Sequence, residues 1–242
     1  MPGDWVVEDR VGDAASLHAT WPSAEAHPER RAVARCRVTS AALVLGSAQP
    51  AAIVDPARAG AAGIDIARRR SGGGAVLVTP DEPVWIDIWL PTGDPLWRND
   101  VSRAFDWLGD AWVDALRRLG IAGVAARRRG FLSCTQWSSL VCFGGVGTGE
   151  VTTDDGRKMV GLAQRRNRHG CWFHCACVLR WDAGPLVDIL ALSSSQRRTA
   201  AADLGGAVVG AAELAGDHGG RPVDGPAVAA SLIRALPGPA SL

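Results

Sequence analysis

The sequence predicts one domain of the α+β, or mixed α/β, class. Strand patterns come first along the chain and mostly in pairs, whereas helical patterns fall between and after them. No linker rich in proline and glycine splits the 242 residues into equal parts. Because strands and helices must bury their apolar faces against each other, we expect a mixed β-sheet flanked by helices.

The strands are predicted from short segments in which apolar and polar residues alternate, or in which apolar residues run together. These segments lie at 33–39, 41–45, 64–70, 75–78 and 84–90, with two longer ones at 156–170 and 171–181 around a basic turn. The segment 84–90 alternates most strictly. It predicts a half-buried strand, paired with 75–78 across the turn at Pro80–Pro83.

The clearest helix is predicted over about 100–119, where apolar side chains recur every three or four residues. Asn99 or Asp100 can cap its beginning. Gly120 stands where a glycine commonly follows the end of a helix. This segment therefore has the pattern, the start signal and the stop signal of an amphipathic helix.

The remaining segments complete a one-domain plan. Residues 4–20 form a short amphipathic opening, 50–60 a turn that can begin a helix, and 130–150 a stretch rich in glycine. Helical patterns in the last part of the chain lie at 185–192, 196–204 and 226–235. We expect residues 1–182 to form a catalytic-type domain and 183–242 a short helical tail packed on the same domain.

Composition excludes several function classes. The chain is 47% hydrophobic and 21% charged, and its formal net charge of +1 gives no overall attraction to nucleic acid or an anionic membrane. The first residues lack a basic stretch before an apolar core, and no window approaches about 18 apolar residues, so neither a secretory signal nor a membrane span is expected. The six cysteines are then expected as reduced thiols in the cytoplasm.

A run of three glycines follows the arginines that end at Arg70. Successive glycines lose much backbone entropy on folding, so such a run needs a reason. It serves either a tight hairpin with solvated arginines or a close approach of the backbone to a ligand. In the second case, backbone amides and arginine would face a carboxylate or a phosphate. The spacing matches neither the phosphate-loop pattern nor the dinucleotide-binding pattern.

Lys158 is the one lysine among the 26 lysines and arginines of the chain. It lies in the segment GRKMVGLAQ, at the beginning of a predicted strand. Most lysines in such positions are ordinary surface residues. A flexible point charge, however, is what a reacting carbonyl or a phosphate requires, and elsewhere this chain uses arginine.

Three segments together resemble the lipoate-protein ligase A family, part of the biotin/lipoate protein ligase catalytic-domain group that includes lipoyl and octanoyl transferases. They are LVLGSAQP at 43–50, RRRSGGGAV at 68–76 and GRKMVGLAQRR at 156–166. They occur in the family's order, and their combination is more specific than any one of them. The resemblance implies a biotin/lipoate ligase-like catalytic domain with a mixed sheet flanked by helices.

The resemblance also implies which residues form the site. Lys158 matches the family's catalytic lysine, beside the acyl carbonyl. The acyl and adenylate loop would consist of Arg70, Ser71, Gly72, Gly73, Gly74 and Ala75. The acyl-binding walls would include Gly46, Gln49, Gly161, Ala163, Gln164 and His174. No metal-binding residue is assigned.

The implied activity is attachment of a lipoyl or octanoyl group to a lysine of a carrier domain. We expect the ligase branch of the family, in which ATP and Mg²⁺ convert lipoate or octanoate to an acyl-adenylate before the carrier lysine attacks. The implied partners are the lipoyl domains of 2-oxoacid dehydrogenase E2 subunits and the glycine cleavage H protein, and the short tail leaves room for an accessory chain. Family ligases often carry an Asn-Asp pair upstream of the lysine, where this chain has Glu150 as the only acid.

Cys142 supports an alternative. Some octanoyltransferases of the family carry a Cys-Phe segment at about this distance before the lysine, and their cysteine holds the acyl group as a thioester. A thiolate would be favoured near Lys158 and the arginines, although a free cysteine without a role behaves as a small hydrophobic residue. Cys134 is a weaker candidate. A relative that binds lipoate or an adenylate without transferring it is a further interpretation.

Two other patterns favour structural explanations. Cys171, Cys175 and Cys177 flank His174, but on a strand the cysteines share one face and the histidine points to the other, which suits a packed strand better than zinc. The arginine runs at 127–129 and 165–168 lack interleaved aromatic residues. They predict a solvated face, or a docking surface for an acidic carrier domain, rather than a nucleic-acid site.

Overall fold

The computed structural model describes residues 5–20, 28–130, 133–215 and 222–238. Its largest element is a seven-stranded sheet. With strands numbered along the chain, it contains β1 (Val6–Gly12), β2 (Ala32–Val38), β6 (Val84–Pro91), β7 (Val124–Ala126), β10 (Val151–Thr153), β11 (Lys158–Arg166) and β12 (Gly170–Cys177). The order is β1-β2-β6-β12-β11-β10-β7. Because β1 and β2 are parallel and the other neighbours antiparallel, the sheet is mixed, as predicted.

A second, three-stranded sheet covers part of one face of the large sheet. It consists of β3 (Ala42–Leu45), β4 (Asp65–Arg68) and β5 (Val76–Val78), with β3 in the middle. Val44 and Val78 of this sheet pack in one apolar cluster with Trp85 of β6. The two sheets therefore form layers with side chains between them.

The segment 84–90 forms a strand, as predicted, but its predicted burial and partner are wrong. β6 is buried along its whole length and pairs with β2 and β12, whereas β5 belongs to the three-stranded sheet. One face of β6, which includes Ile86, packs in the main core. The opposite face carries Trp85, which the second layer covers. Both faces are therefore covered, as in a central strand.

The described residues contain seven α-helices. They are α1 (Ala14–Ala19), α2 (Pro56–Ala61), α3 (Asp106–Arg118), α4 (Gly184–Asp188), α5 (Ser194–Ala207), α6 (Ala211–Ala215) and α7 (Gly225–Ala235). The clearest predicted helix is confirmed by α3 and the 3₁₀ turn Arg103–Phe105 before it. Asp100 accepts hydrogen bonds from the amides of Ser102 and Arg103 at 2.8 and 3.2 Å, and Gly120 follows the helix with φ +82°.

The main core lies between the large sheet and the helices α3 and α7. Leu116 of α3 and Leu232 of α7 are fully buried there with Ile86. Ser231 of α7 donates a hydrogen bond to the carbonyl of Ala115 in α3 at 2.8 Å. The tail helices α4, α5 and α7 lie close to the predicted segments, while the domain boundary at residue 182 stays a prediction.

The ends and loops of the chain add less regular structure. The predicted opening at 4–20 contains β1 and α1, and its first residue lies outside the described residues. The glycine-rich stretch 130–150 contains a small sheet of β8 (Ser133–Cys134) and β9 (Gly145–Val146), and residues 131–132 are not described. None of the helices described is long and apolar enough to cross a lipid bilayer.

The three cysteines of β12 occupy one face of that strand. Cys171, Cys175 and Cys177 pack in the main core, whereas His174 lies on the face toward the three-stranded sheet. Burial raises the pKa of Cys171 to about 12 and the pKa values of the other two thiols still further. These side chains act as packed apolar residues in this strand.

Candidate active site

Lys158 begins β11 and is only 2% exposed. Its Nζ donates hydrogen bonds to the carbonyl oxygens of Cys142 and Gly145 at 2.8 and 2.9 Å, and it pairs with Glu150 Oε2 at 2.6 Å. The same nitrogen lies 5.1 Å from the ring centre of Phe143. These contacts engage all three hydrogens of the ammonium group. The lone lysine is therefore a buried charge held at a fixed position.

Glu150 is the counter-ion of this lysine and is 4% exposed. Its Oε2 also accepts a hydrogen bond from the amide of Gly147 at 2.6 Å, and its Oε1 accepts one from Leu162 at 3.0 Å. A buried ion pair requires such additional partners to offset its loss of hydration. Sequence reasoning missed this pairing. The signal for it is an acid eight residues before the one lysine of the chain.

The arrangement of Glu150 also bears on Mg²⁺. Magnesium binds carboxylate oxygens that are free to coordinate it. Both oxygens of Glu150 are committed to Lys158 and to backbone amides. Around Lys158, the carboxylate that the structure describes therefore does not fit a magnesium ligand.

The glycine-rich loop contacts the segment that carries Cys142. Ala75 forms a parallel bridge with Val141, and its amide donates to Leu140 while its carbonyl accepts from Cys142, at 2.8 and 3.0 Å. A Cβ atom at Gly74 would lie 2.5 Å from the carbonyl carbon of Val141. Only glycine permits this approach. The fold thus joins two segments that are far apart in the sequence.

Gly46 and Gln49 brace the same contact. The amide of Gly46 donates to Gln49 Oε1 at 2.9 Å, and Gln49 Nε2 donates to the carbonyls of Ser139 and Leu140 at 2.8 and 3.0 Å. A Cβ atom at Gly46 would overlap the carbonyl oxygen of Gly73. Neither residue is among those that line the cavity described next. They brace the loop behind this cavity, and their part in an acyl-binding wall stays a prediction.

A small, largely apolar cavity of about 50 Å³ lies between the two sheets. Cys142, Gly161, Ala163 and His174 line it, together with apolar side chains of the three-stranded sheet. A Cβ atom at Gly161 would lie 3.5 Å from Cys142 Sγ and 3.6 Å from Lys158 Cε. Gly161 therefore brings the thiol and the lysine stem to one point at the cavity.

The arginine that reaches the cavity is Arg69 rather than the predicted Arg70. Arg69 is 4% exposed and donates to the carbonyls of Val44 and Gly74 at 3.2 and 2.7 Å. Burial lowers the pKa of Arg69, and the nearby Cys142 thiol acts in the opposite direction. Arg70 is exposed and donates to the carbonyl of Ala19 at 2.9 Å. Ala67 of β4 is buried, and because side chains alternate along a strand, Arg69 two residues later points to the same buried face.

Other predicted residues lie around the loop or outside the cavity. Ser71 is 1% exposed, and its hydroxyl has no hydrogen-bond partner among the described residues. Gly72 and Gly73 are exposed. Gln164 donates to the carbonyl of Val101 at 2.7 Å and does not line the cavity.

His174 belongs to a buried cluster of rings. Its Nδ1 lies 2.7 Å from Asp87 Oδ1, which also accepts a hydrogen bond from Trp85 Nε1 at 2.6 Å. Burial opposes the charge on Asp87, but His174 and these hydrogen bonds bring its pKa below the usual value. His18 of α1 stacks on Trp85 at 4.3 Å, and burial, reinforced by His174, lowers its pKa to about 3. Sequence reasoning missed His18 and Asp87.

Solved structures show where this architecture occurs. The chain is similar to a bipartite lipoate protein ligase of Thermoplasma acidophilum, with a TM-score of 0.66, 21% identity, and coverage of 95% of this chain and 82% of that one. A lipoate-protein ligase A structure with bound ATP matches with a TM-score of 0.66, 20% identity and coverage of 97% and 84%. The biotin protein ligase of Leishmania major in complex with biotinyl-5-AMP matches with a TM-score of 0.52, 8% identity, and coverage of 98% of this chain and 74% of that one.

At the level of sequence, no curated protein matches the chain. The family model of the lipoyl protein ligase A/B catalytic domain matches residues 23–236. The fold and the three segments identified in the sequence agree with that match. This protein therefore belongs to the lipoyl protein ligase A/B catalytic-domain family and is an enzyme of the lipoate-protein ligase type.

Proposed function

We propose that this enzyme transfers a lipoyl or octanoyl group to a lysine of a lipoyl carrier domain, and that Cys142 carries the acyl group as a thioester. The observation that supports this route is the position of the Cys142 thiol. It lines the apolar cavity and lies against Gly161, beside the stem of Lys158. A buried cation and an apolar cavity are what an acyl-thioester nucleophile needs.

Two exchange steps complete the proposed reaction. The Cys142 thiolate attacks the carbonyl carbon of an acyl-thioester donor, a new C–S bond forms, and the donor thiol leaves and takes up a proton. The neutral amine of the carrier lysine then attacks the Cys142 thioester. An amide forms, the C–S bond breaks, and the thiol is regenerated with the proton of the amine. No ATP is consumed.

Lys158 and Arg69 would supply positive charge in both steps. A cation beside the thiol favours the thiolate, and donors fixed near the carbonyl stabilise the negative oxygen of the transition state. Because the hydrogens of Lys158 are already engaged, the substrate carbonyl would replace one of its backbone acceptors, Cys142 or Gly145. Glu150 would hold the ammonium group during that exchange.

The competing route is the ATP-dependent ligase reaction. Lipoate or octanoate would react with ATP to give an acyl-adenylate and pyrophosphate, and the carrier lysine would displace AMP. Its support is the exposed pair Gly72 and Gly73 beside Arg69, where a phosphate could approach the backbone closely. Mg²⁺ would then need ligands other than Glu150, so the thioester route fits the described residues better.

The carrier is proposed from the chemistry of the product and from family membership. The structure of the Thermoplasma acidophilum ligase was described with its E2 lipoyl domain. We therefore propose E2 lipoyl domains and the glycine cleavage H protein as acceptors, with room for an accessory chain, and a cytoplasmic location.

The test is the intact mass of a purified E2 lipoyl domain after incubation with the enzyme. One sample contains octanoyl-acyl carrier protein without ATP, and a second contains lipoate, ATP and Mg²⁺. We expect modification in the first sample, and an octanoyl adduct on the enzyme itself when the lipoyl domain is left out. Cys142→Ser should abolish both, whereas Cys134→Ser, at an exposed free thiol, should leave both intact.

Each other outcome has a defined meaning. Modification only in the second sample would overturn the thioester route and support the ligase route. Modification in neither would refute the transfer proposal and favour the interpretation as a non-catalytic binding protein.

A further inference from the structure

The strand β1 lies at one edge of the large sheet and pairs there with β2 alone. In the part of the chain that the structure describes, no strand lies against its outer edge. Val6 and Gly12 form backbone hydrogen bonds on the β2 side, at 2.9 and 3.0 Å. Because the backbone groups of successive residues point to alternate edges of a strand, Val7, Asp9 and Val11 direct theirs outward. Such an edge is a template for pairing with a further strand.

The side chains at this edge expose apolar surface. Val7 and Val11 are 43% and 56% exposed, and they are two of the four large apolar side chains that the described residues leave exposed. Val7 lies opposite Val33 of the main core, on the face of the sheet that α3 and α7 cover further in. Between the two valines, Asp9 pairs with Arg35 of β2 at 2.6 Å. The helix layer therefore ends before β1 and leaves an apolar strip at the edge.

The sequence of β1 is complementary to itself when two copies run antiparallel. In the segment VEDRV at 7–11, a two-fold axis through Asp9 places Val7 opposite Val11 of the second copy and Glu8 opposite Arg10. The outward backbone groups would then meet in three residue pairs, each of which exchanges two hydrogen bonds. Glu8 and Arg10 would occupy the alternate pairs, where opposing side chains are closest.

Charge selects this register over its neighbours. A shift by two residues keeps the outward backbone groups paired, but it places Glu8 against Glu8 or Arg10 against Arg10. Like charges directly opposite each other on paired strands are destabilising. At the two-fold axis the two Asp9 carboxylates approach each other, and Arg35 beside each of them offsets that repulsion.

We propose that two copies of this chain associate through β1, antiparallel and centred on Asp9, so that two seven-stranded sheets join into one. A two-fold interface uses the same patch on both subunits, and a self-complementary strand provides such a patch. β11, which carries Lys158, lies four strand spacings or about 19 Å from β1, so the dimer leaves the candidate active site open. One strand from each copy is a small interface, so we expect a dissociation constant of roughly micromolar size.

The test is the average mass of the full chain by sedimentation equilibrium, at concentrations from about 1 to 300 µM. We expect the mass to rise from 25.3 kDa toward twice that value. Glu8→Arg and Arg10→Glu should each weaken the dimer roughly ten-fold or more, because each change creates two like-charge pairs. An equimolar mixture of these two variants should associate about as tightly as the parent, because every opposing pair then has opposite charges again.

A pair of valine variants tests the edge independently of those charges. Val11→Lys places a charge against Val7 of the second copy and should weaken the dimer roughly ten-fold. Val101→Lys, at a similarly exposed valine outside the strands, should leave it unchanged.

The outcomes are read apart from catalysis, because the proposal does not depend on the proposed function. A monomer at every concentration would overturn the proposal, and so would a dimer that persists in both Glu8→Arg and Val11→Lys. Failure of the mixed charge variants to associate would overturn the register centred on Asp9. Acyl transfer to the lipoyl domain is a separate measurement, and its failure would refute the proposed function while the dimer stands.

Discussion

Removing the charge of Lys158 should test the buried ion pair and the chemistry together. Lys158→Met keeps a long apolar stem of similar length but leaves the carboxylate of Glu150 without its counter-ion. Breaking a buried ion pair from one side typically costs about 3–5 kcal/mol. Two backbone amides still donate to Glu150, at 2.6 and 3.0 Å, so we expect the lower end of that range.

The double variant separates stability from catalysis. Glu150→Gln in the Lys158→Met background removes the uncompensated charge, so it should recover at least ~1–2 kcal/mol of the loss. Acyl transfer should remain absent in both variants, because the fixed positive charge beside Cys142 is gone.

The free energy of unfolding is measured by urea titration, and transfer by the mass of the lipoyl domain. A Lys158→Met protein as stable as the parent, within about 0.5 kcal/mol, would refute the buried-pair reasoning. Full transfer activity in that variant would refute the catalytic role of the lysine, whatever its stability.

Three further predictions concern packing and pH. Gly74→Ala should lower the free energy of unfolding by about 1–3 kcal/mol and reduce transfer, because the new Cβ meets the backbone at 2.5 Å. Gly60→Ala, in a helix where a Cβ would meet nothing within 4 Å, should be neutral or stabilising by about 0.5–1 kcal/mol. Similar losses of stability in both variants would contradict the contact at Gly74. Burial holds the pKa of His18 at about 3, below its ordinary 6.5, so the unfolded chain takes up the proton first as the pH falls. Relative to His18→Phe, the parent should lose up to about 1.4 kcal/mol of unfolding free energy per pH unit between pH 6.5 and 3. Parallel curves of stability against pH would refute this. Burial raises the pKa of Glu82 to about 7, above its ordinary 4.5, so the stability that its protonated form contributes is present below pH 4.5 and is lost as the pH rises to 7. The stability of Glu82→Gln should therefore fall less than that of the parent over this interval. Thermal melts that show the same dependence on pH for both proteins would count against it.

Local patterns predicted most of the secondary structure. The period of apolar residues located α3, and Gly120 marked its end, because capping depends on neighbours along the chain. The helix begins only at Asp106, since Asp100 caps the 3₁₀ turn that precedes it. The alternating pattern located β6 but predicted a half-buried strand, whereas the strand is buried on both faces. The pattern treats tryptophan at alternate positions as an outer residue, whereas the second sheet covers Trp85.

The motifs and the composition were sufficient to find the family resemblance, to single out Lys158 and Cys142 as candidates for chemistry, and to predict the mixed class of the fold. The folded chain was needed to see that Arg69 faces the cavity, that Glu150 pairs with Lys158, and that His18 and His174 lie side by side. The physical reason is that helix and strand periods report contacts between near neighbours. The contacts that build this site join segments far apart in the chain, and they form only where two sheets and a helix pack together.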